Sequence, residues 1–242
     1  MPRPSSGGYE PLHEHHHRNL QGGAARAAIF GVSDGLLSNA SLILGVAGAQ
    51  SHNSAVLIAG VAGMVGGAFS MASGEFVSMK AQRELLEREL ELERIEISRR
   101  PEGERRELAR IYESRGVDPA VANELAGEMM RDPDVALETH AREELGINPR
   151  ELGSPEKAAA SSFLSFGLGA LFPLIPWFFA RGQAAILASV LVGLAAAGVV
   201  GAGLSAFTGR SWRRSTVRQL FVFAVPAALL YGIGRLLGVS VT

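Results

Sequence analysis

The chain of 242 residues lacks cysteine and balances 24 acidic against 23 basic side chains at a mean hydropathy of +0.17, an average that fits a neutral globular protein. The average hides a partition: residues 80–157 hold 20 acidic and 14 basic side chains, most of the charge in the chain, while the remainder is apolar over lengths a bilayer demands. A soluble single-core domain is thereby excluded as the default. So are a disulfide framework, a zinc–thiolate site, an iron–sulfur cluster and thiol catalysis, which leaves carboxylate, imidazole, thioether or carbonyl groups to hold any metal.

Residues 1–23 form a polar tail in which His13, Glu14, His15, His16 and His17 are bunched, either as a metal-capturing tract or as an incidental run that binds many ions weakly. No signal peptide is expected, because no short apolar segment with a small-residue cleavage site precedes the first long apolar run. That run, residues 27–49, is interrupted only by Ser33-Asp34-Gly35 and Ser38-Asn39; a short turn leads to a second, residues 54–79, broken only by Glu75. Three further apolar stretches, 158–180, 183–209 and 217–239, bring the count of spans to five, each able to cross about 30 Å of hydrocarbon at about 1.5 Å per residue. Pro173, Pro176 and Pro226 are tolerable there because neighbouring helices in a bundle can satisfy the freed backbone groups. The organisation expected is thus a tail (1–23), spans one and two (24–80), a hydrophilic domain (81–157) and spans three to five (158–242). The fold class is all-α membrane protein.

Lys and Arg set the orientation. Arg210, Arg213, Arg214 and Arg218 lie between spans four and five, Arg18 and Arg26 precede span one, Lys80 and Arg83 follow span two, and Lys157 precedes span three; on the other side the link between spans three and four has only Arg181, that between one and two has none, and Arg235 stands near the end of span five. This asymmetry puts the N-terminus and the insert in the cytoplasm and the C-terminus outside.

The insert reads as a three- or four-helix domain on a stalk continuous with span two. Glu84–Arg88 and Glu96–Arg100 are helical i,i+4 pairs. Pro101-Glu102-Gly103 should kink or interrupt the helix, and Asp118-Pro119 and Asp132-Pro133 each pair an N-cap with proline at the first helical position. The last helix should end at Gly146.

Asp34 and Glu75 are the two acidic residues inside predicted spans, with no basic residue at mid-span to pair with either; carboxylates at such depth usually serve an ion or proton path. Met71, Glu75 and Met79 recur every fourth residue, one helical face of mixed thioether and oxygen ligands that suits a late first-row divalent ion. With Ser33 and Asn39 from span one, these make the expected transport pathway. In the insert, Glu93 and Glu96 precede Glu104 and Glu107 by eleven residues. On an uninterrupted helix the two pairs stand roughly 16 Å apart, too far to share one ion, so a second element must complete each site. His140 and Glu144, with Glu143 beside them, are the candidates. A P-loop, a dinucleotide fingerprint, an HExxH helix and a GxSxG elbow are all missing, so neither an enzyme nor a bound catalytic cofactor is expected.

The run Phe30-Gly31-Val32-Ser33-Asp34-Gly35-Leu36-Leu37-Ser38-Asn39, the segment Ser70-Met71-Ala72-Ser73-Gly74-Glu75-Phe76-Val77-Ser78, and Glu143-Glu144-Leu145-Gly146 before the third span resemble the vacuolar iron transporter family, in a bacterial version. The resemblance covers nearly everything after about Arg18. It implies a homodimer of five-span protomers in the bacterial inner membrane, exporting Fe2+, and often Mn2+, from the cytoplasm in exchange for protons; Zn2+ and Co2+ are further candidate substrates. It also implies that Asp34 and Met71 line a path between protomers, and that Glu93, Glu96, Glu104, Glu107 and Glu144 bind metal in the cytoplasmic domain. Plant-type members carry a Met-Met pair four and three residues before the last of these glutamates, where this chain has His140 and Ala141. The rival expectation is a membrane-anchored metal sensor or buffer without transport. Metal ions, protons and lipid are the partners expected, and nucleic acid is not.

Overall fold

The computed structural model describes residues 23–49, 52–150 and 152–241. The tail with its histidine tract lies outside the described residues. Among the described residues there are nine helices and no strand: α1 (Gly23–Gly48), α2 (Asn53–Arg99), α3 (Pro101–Ser114), α4 (Pro119–Met129), α5 (Pro133–Glu143), α6 (Pro155–Leu174), α7 (Pro176–Phe179), α8 (Gly182–Thr208) and α9 (Trp212–Val241). Five of them, α1, α2, α6, α8 and α9, are long and apolar enough to cross a membrane. All-α multi-pass architecture therefore holds.

Packing fixes which ends of the helices lie together. Gly31, Gly35 and Asn39 of α1 meet Ser165, Phe166 and Ala170 of α6, so those two helices run side by side in one direction. α2 returns against them, with Gly60 beside Ile43 and Leu174, and Gly67 against the Phe166 ring. α9 runs with α1, Gly45 and Gly48 meeting Leu230 and Tyr231, and α8 packs antiparallel along α9. The starts of α1, α6 and α9 thus share one end of the bundle with the insert. The opposite end is closed by an apolar cluster of Ile43, Ala47, Val56, Leu174, Trp177 and Ala185.

The α1–α6 contact depends on missing side chains. A Cβ on Gly35 would collide with the Phe166 carbonyl oxygen, and one on Gly169 with the Val32 carbonyl oxygen, so the backbones approach as only small residues allow. The third span is shorter than expected: α6 stops at Leu174, and Pro176, which cannot donate to the preceding turn, starts the four-residue α7. Ser189 of α8 donates to the Pro173 carbonyl at 2.5 Å, a neighbour supplying the bond the break frees. The fifth span begins at Trp212, five residues before the position expected.

α2 continues without a break from the bundle into the insert, 47 residues and about 70 Å long. It ends at Arg100, whose φ of −136° and ψ of 52° leave the helical region just before Pro101. α3 then departs in a new direction and packs on α4, burying Leu108, Ala109 and Ala126 with Tyr112 and Met129 alongside. α5 returns to α2, burying Ala136 and Leu137 against Ile97. The two proline-led helices start as the sequence implies: the Asp118 carboxylate accepts from the Ala120 amide, and that of Asp132 from Asp134 and Val135.

Candidate metal sites

The break at Arg100 decides the chemistry of the insert. An unbroken helix would separate Glu93 from Glu104 by roughly 16 Å. Instead α3 turns back, and Glu93, Glu104 and His140 present ligand atoms within 4.8 Å of one another. The expectation of two separate half-sites is corrected accordingly: one residue from each glutamate pair joins one centre, which α5 completes. All three side chains are buried, His140 fully. Glu93 Oε1 lies 3.1 Å from His140 Nδ1 but out of hydrogen-bonding alignment, and both that oxygen and His140 Nε2 are buried without a hydrogen-bond partner. Glu144 Oε2 stands 3.5 Å from the same Nδ1 at the rim.

A carboxylate cluster this close resists full ionisation. Burial, then the charges of Glu93 and Glu107, push the Glu104 pKa up; burial and Glu93 do the same to Glu144. Burial opposes a charged His140, but the Glu93, Glu144 and Glu104 carboxylates outweigh it and raise the ring's pKa above the ordinary histidine value. Glu104, Glu144 and His140 thus all hold protons more tightly than the free side chains do. A divalent cation there would replace those protons and satisfy the orphaned Glu93 oxygen. One imidazole with several carboxylates is a donor set suited to Fe2+, Mn2+ or Zn2+.

The other insert candidates sit elsewhere. Glu96 is exposed and, among the described residues, pairs with Arg100 at 3.5 Å; Glu107 is exposed on the next turn of α3 beyond Glu104. Glu143 is taken by Arg115, whose guanidinium pairs with its carboxylate and also donates to its backbone carbonyl. Arg115 is a partner the charge pattern did not single out, since it lies 28 residues away, just past the end of α3. Met129 and Met130 pack in the apolar clusters of the insert.

Within the bundle, α1, α2 and α6 surround an open cleft of about 350 Å³ lined by Asp34, Ser38, Asn39, Leu42, Gly63, Gly67, Ser70, Met71 and Phe166. Among the described residues no basic side chain is paired with Asp34. The Asn39 amide nitrogen donates to the Ala170 carbonyl at 2.8 Å, leaving its Oδ1 buried and unpartnered. Gly63 makes room for that oxygen, since a Cβ there would stand 2.9 Å from it. Asp34, Asn39 and Met71 thus line one cleft, with Ser38 and Ser70 as further hydroxyl groups that their motifs contain but periodicity does not mark.

Three pathway candidates fall outside this cleft. Ser33 is half-buried one residue away from it. Met79 is buried under the linker, its Cε 2.8 Å from where a Gly153 Cβ would lie, and it borders a separate cleft with Gln82, Leu145 and Asn148. Glu75 is corrected on its pairing: Arg26 donates to it at 2.9 Å, because the antiparallel helices set the first turn of α1 beside the point where α2 leaves the bundle. A long arginine side chain spans that gap while its head stays half-exposed.

A family model described as the VIT family matches residues 25–235. The chain is 36% identical over 234 residues to a protein of Acanthamoeba castellanii named vacuolar iron transporter, covering 94% of this chain and 85% of that one. It is 32% identical over 228 residues to vacuolar iron transporter 1 of Oryza sativa subsp. japonica, covering 92% and 90%. To vacuolar iron transporter 1 of Arabidopsis thaliana it is 31% identical over 232 residues, covering 93% and 92%. These relatives are named as transporters, not as enzymes.

Proposed function

The chain belongs to the VIT family, and from that premise we propose that it exports Fe2+, and also Mn2+, from the cytoplasm in exchange for protons. The insert faces the cytoplasm of a bacterial inner membrane, on the side where the arginines and lysines gather. Its Glu93–Glu104–His140 centre, with Glu144 at the rim, collects the metal. The cleft at Asp34, Asn39, Ser38, Ser70 and Met71 then carries it, oxygen and sulfur ligands replacing lost water. Protons arriving from the outer side compete for the Asp34 carboxylate, release the ion and return inward.

The observation that carries transport, rather than binding alone, is Asp34: a carboxylate inside a spanning helix, opening into a cleft shared with Ser38, Asn39 and Ser70, with no cation paired to it among the described residues. A membrane-anchored buffer accounts for the insert centre but leaves this group unexplained. Two copies facing each other across α1 and α2 would close the cleft from the bilayer, with the exposed Ile58, Val61, Val65 and Phe69 of α2 as the apolar contact. Proteoliposomes loaded with a metal-quenched dye test the reading. Fe2+ uptake driven by an imposed proton gradient is expected for the unmutated protein, with a loss of at least about ten-fold for Asp34→Asn. Equal uptake by the two proteins sinks the pathway; no flux beside intact metal binding leaves the buffer.

A further inference from the structure

The lipid-facing side of α8 and α9 carries a feature that metal transport does not use. One apolar groove is lined by Val217, Leu220, Phe221 and Ala224 with Leu194 of α8. A second, of about 330 Å³, is lined by Phe223, Ala224, Ala227, Ala228 and Tyr231 with Ile186, Val190 and Leu194 of α8 and Leu44 of α1. They share Ala224 and Leu194, so they form one channel along α9. From Val217 to Tyr231 it runs about 21 Å, somewhat more than one leaflet's half of a hydrocarbon core of about 30 Å. Its floor is open because Ala224 and Ala228 are small and exposed.

The Val217 end of the channel lies beside Arg210, Arg213, Arg214 and Arg218, all exposed. Among the described residues none of the four makes an ion pair, and residues 158–242 contain no Asp or Glu at all. Trp212, exposed beside them and with the Arg213 guanidinium 5.7 Å from its ring centroid, is the kind of aromatic anchor found at headgroup depth. Topology alone calls for positive charge at this end of the bundle but for no acyl-sized channel beneath it. A polar, permanently charged end and an apolar channel one leaflet deep match the two parts of one molecule.

We propose that the α8–α9 channel is a binding site for an anionic phospholipid, its acyl chain lying from Val217 to Tyr231 and its phosphate held by Arg213, Arg214 and Arg218. The occupant comes from the leaflet next to the insert. The site is separate from the metal path: its lining comes from α8, α9 and Leu44 of α1, and none of those residues lines the Asp34 cleft or the insert centre.

Native mass spectrometry of the purified full-length protein tests this, with phosphatidylglycerol and phosphatidylcholine of identical acyl chains offered in equal amounts. Phosphatidylglycerol is expected to be retained preferentially. Arg213→Gln with Arg214→Gln, which keeps Arg210 and Arg218, should reduce that preference by about five-fold per arginine. Ala224→Trp, at an exposed position that needs no core rearrangement, should reduce retention of both lipids, and Ala228→Phe should repeat the effect from the next turn. Soluble glycerol phosphate should not compete. Equal retention of the two lipids overturns the proposal, as does retention indifferent to both groove-filling variants. Competition by glycerol phosphate reduces the site to a phosphate-binding surface and overturns it too. A change of oligomeric mass on Ala224→Trp with lipid retention unaltered makes the channel a contact between copies, which also overturns it.

Discussion

At the scale of single residues, the insert centre shows how far a charge run can be read. Glu93, Glu96, Glu104 and Glu107 look alike in sequence, and helical periodicity places them on one stripe. Burial separates them: Glu93 and Glu104 face His140 while Glu96 and Glu107 face solvent. The consequence for binding is asymmetric. Changes merely next to a metal's ligands typically cost 10- to 100-fold in affinity, so Glu104→Gln should lower Mn2+ affinity at least about ten-fold, while Glu96→Gln should leave it within about two-fold. Titration calorimetry on the full-length protein in detergent compares them; equal losses would mean that the exposed stripe, and not the buried centre, binds the ion. Neither Arg26 nor Arg115 was legible as a partner for Glu75 or Glu143. Each pairing joins segments far apart in the chain, and nothing local announces which turns will meet.

At the scale of helices, most boundaries follow from local chemistry and the exceptions follow from packing. Asp118-Pro119 and Asp132-Pro133 start helices because a carboxylate caps free amides and proline needs none of its own. The interruption at Pro101 is equally local. The direction α3 takes after it is not, since that is set by burial of Leu108 and Ala109 against Ala126, contacts that exist only once α4 is in place. Inside the bundle the corresponding device is glycine. Gly35→Ala drives a methyl group into the Phe166 carbonyl oxygen, a backbone atom that cannot step aside, so it should destabilise the α1–α6 pair by about 1–3 kcal/mol and lower the thermal midpoint in detergent. Gly63→Ala meets the Asn39 and Leu42 side chains instead, which can shift. It should therefore leave the thermal midpoint closer to that of the unmutated protein while reducing metal flux, because Asn39 Oδ1 is displaced from the cleft. Equal thermal losses for the two variants would show that Gly63 serves packing alone.

At the scale of the whole molecule, the balanced charge resolves into an insert of net −6 and a remainder of net +5, of which Arg26, Arg210, Arg213, Arg214 and Arg218 lie at the end of the bundle that carries the insert. On the proposed reading the negative surface gathers cations at the end where the arginines lie, and α2, unbroken from Asn53 to Arg99, is the helix common to the insert centre and the cleft. Two sites on one chain make a kinetic distinction that neither makes alone. If the insert raises the local supply and the cleft performs the transfer, Glu104→Gln should raise the Mn2+ concentration giving half-maximal flux several-fold and leave the limiting rate near its original value. Asp34→Asn should lower the limiting rate without altering metal affinity at the insert. Because the altered side chains belong to separate sites, their effects should multiply in the double variant, measured as initial rates in proteoliposomes under one fixed proton gradient. A limiting rate that falls equally with Glu104→Gln would instead place the insert centre on the obligatory route, with every ion passing through His140 before it reaches Asp34.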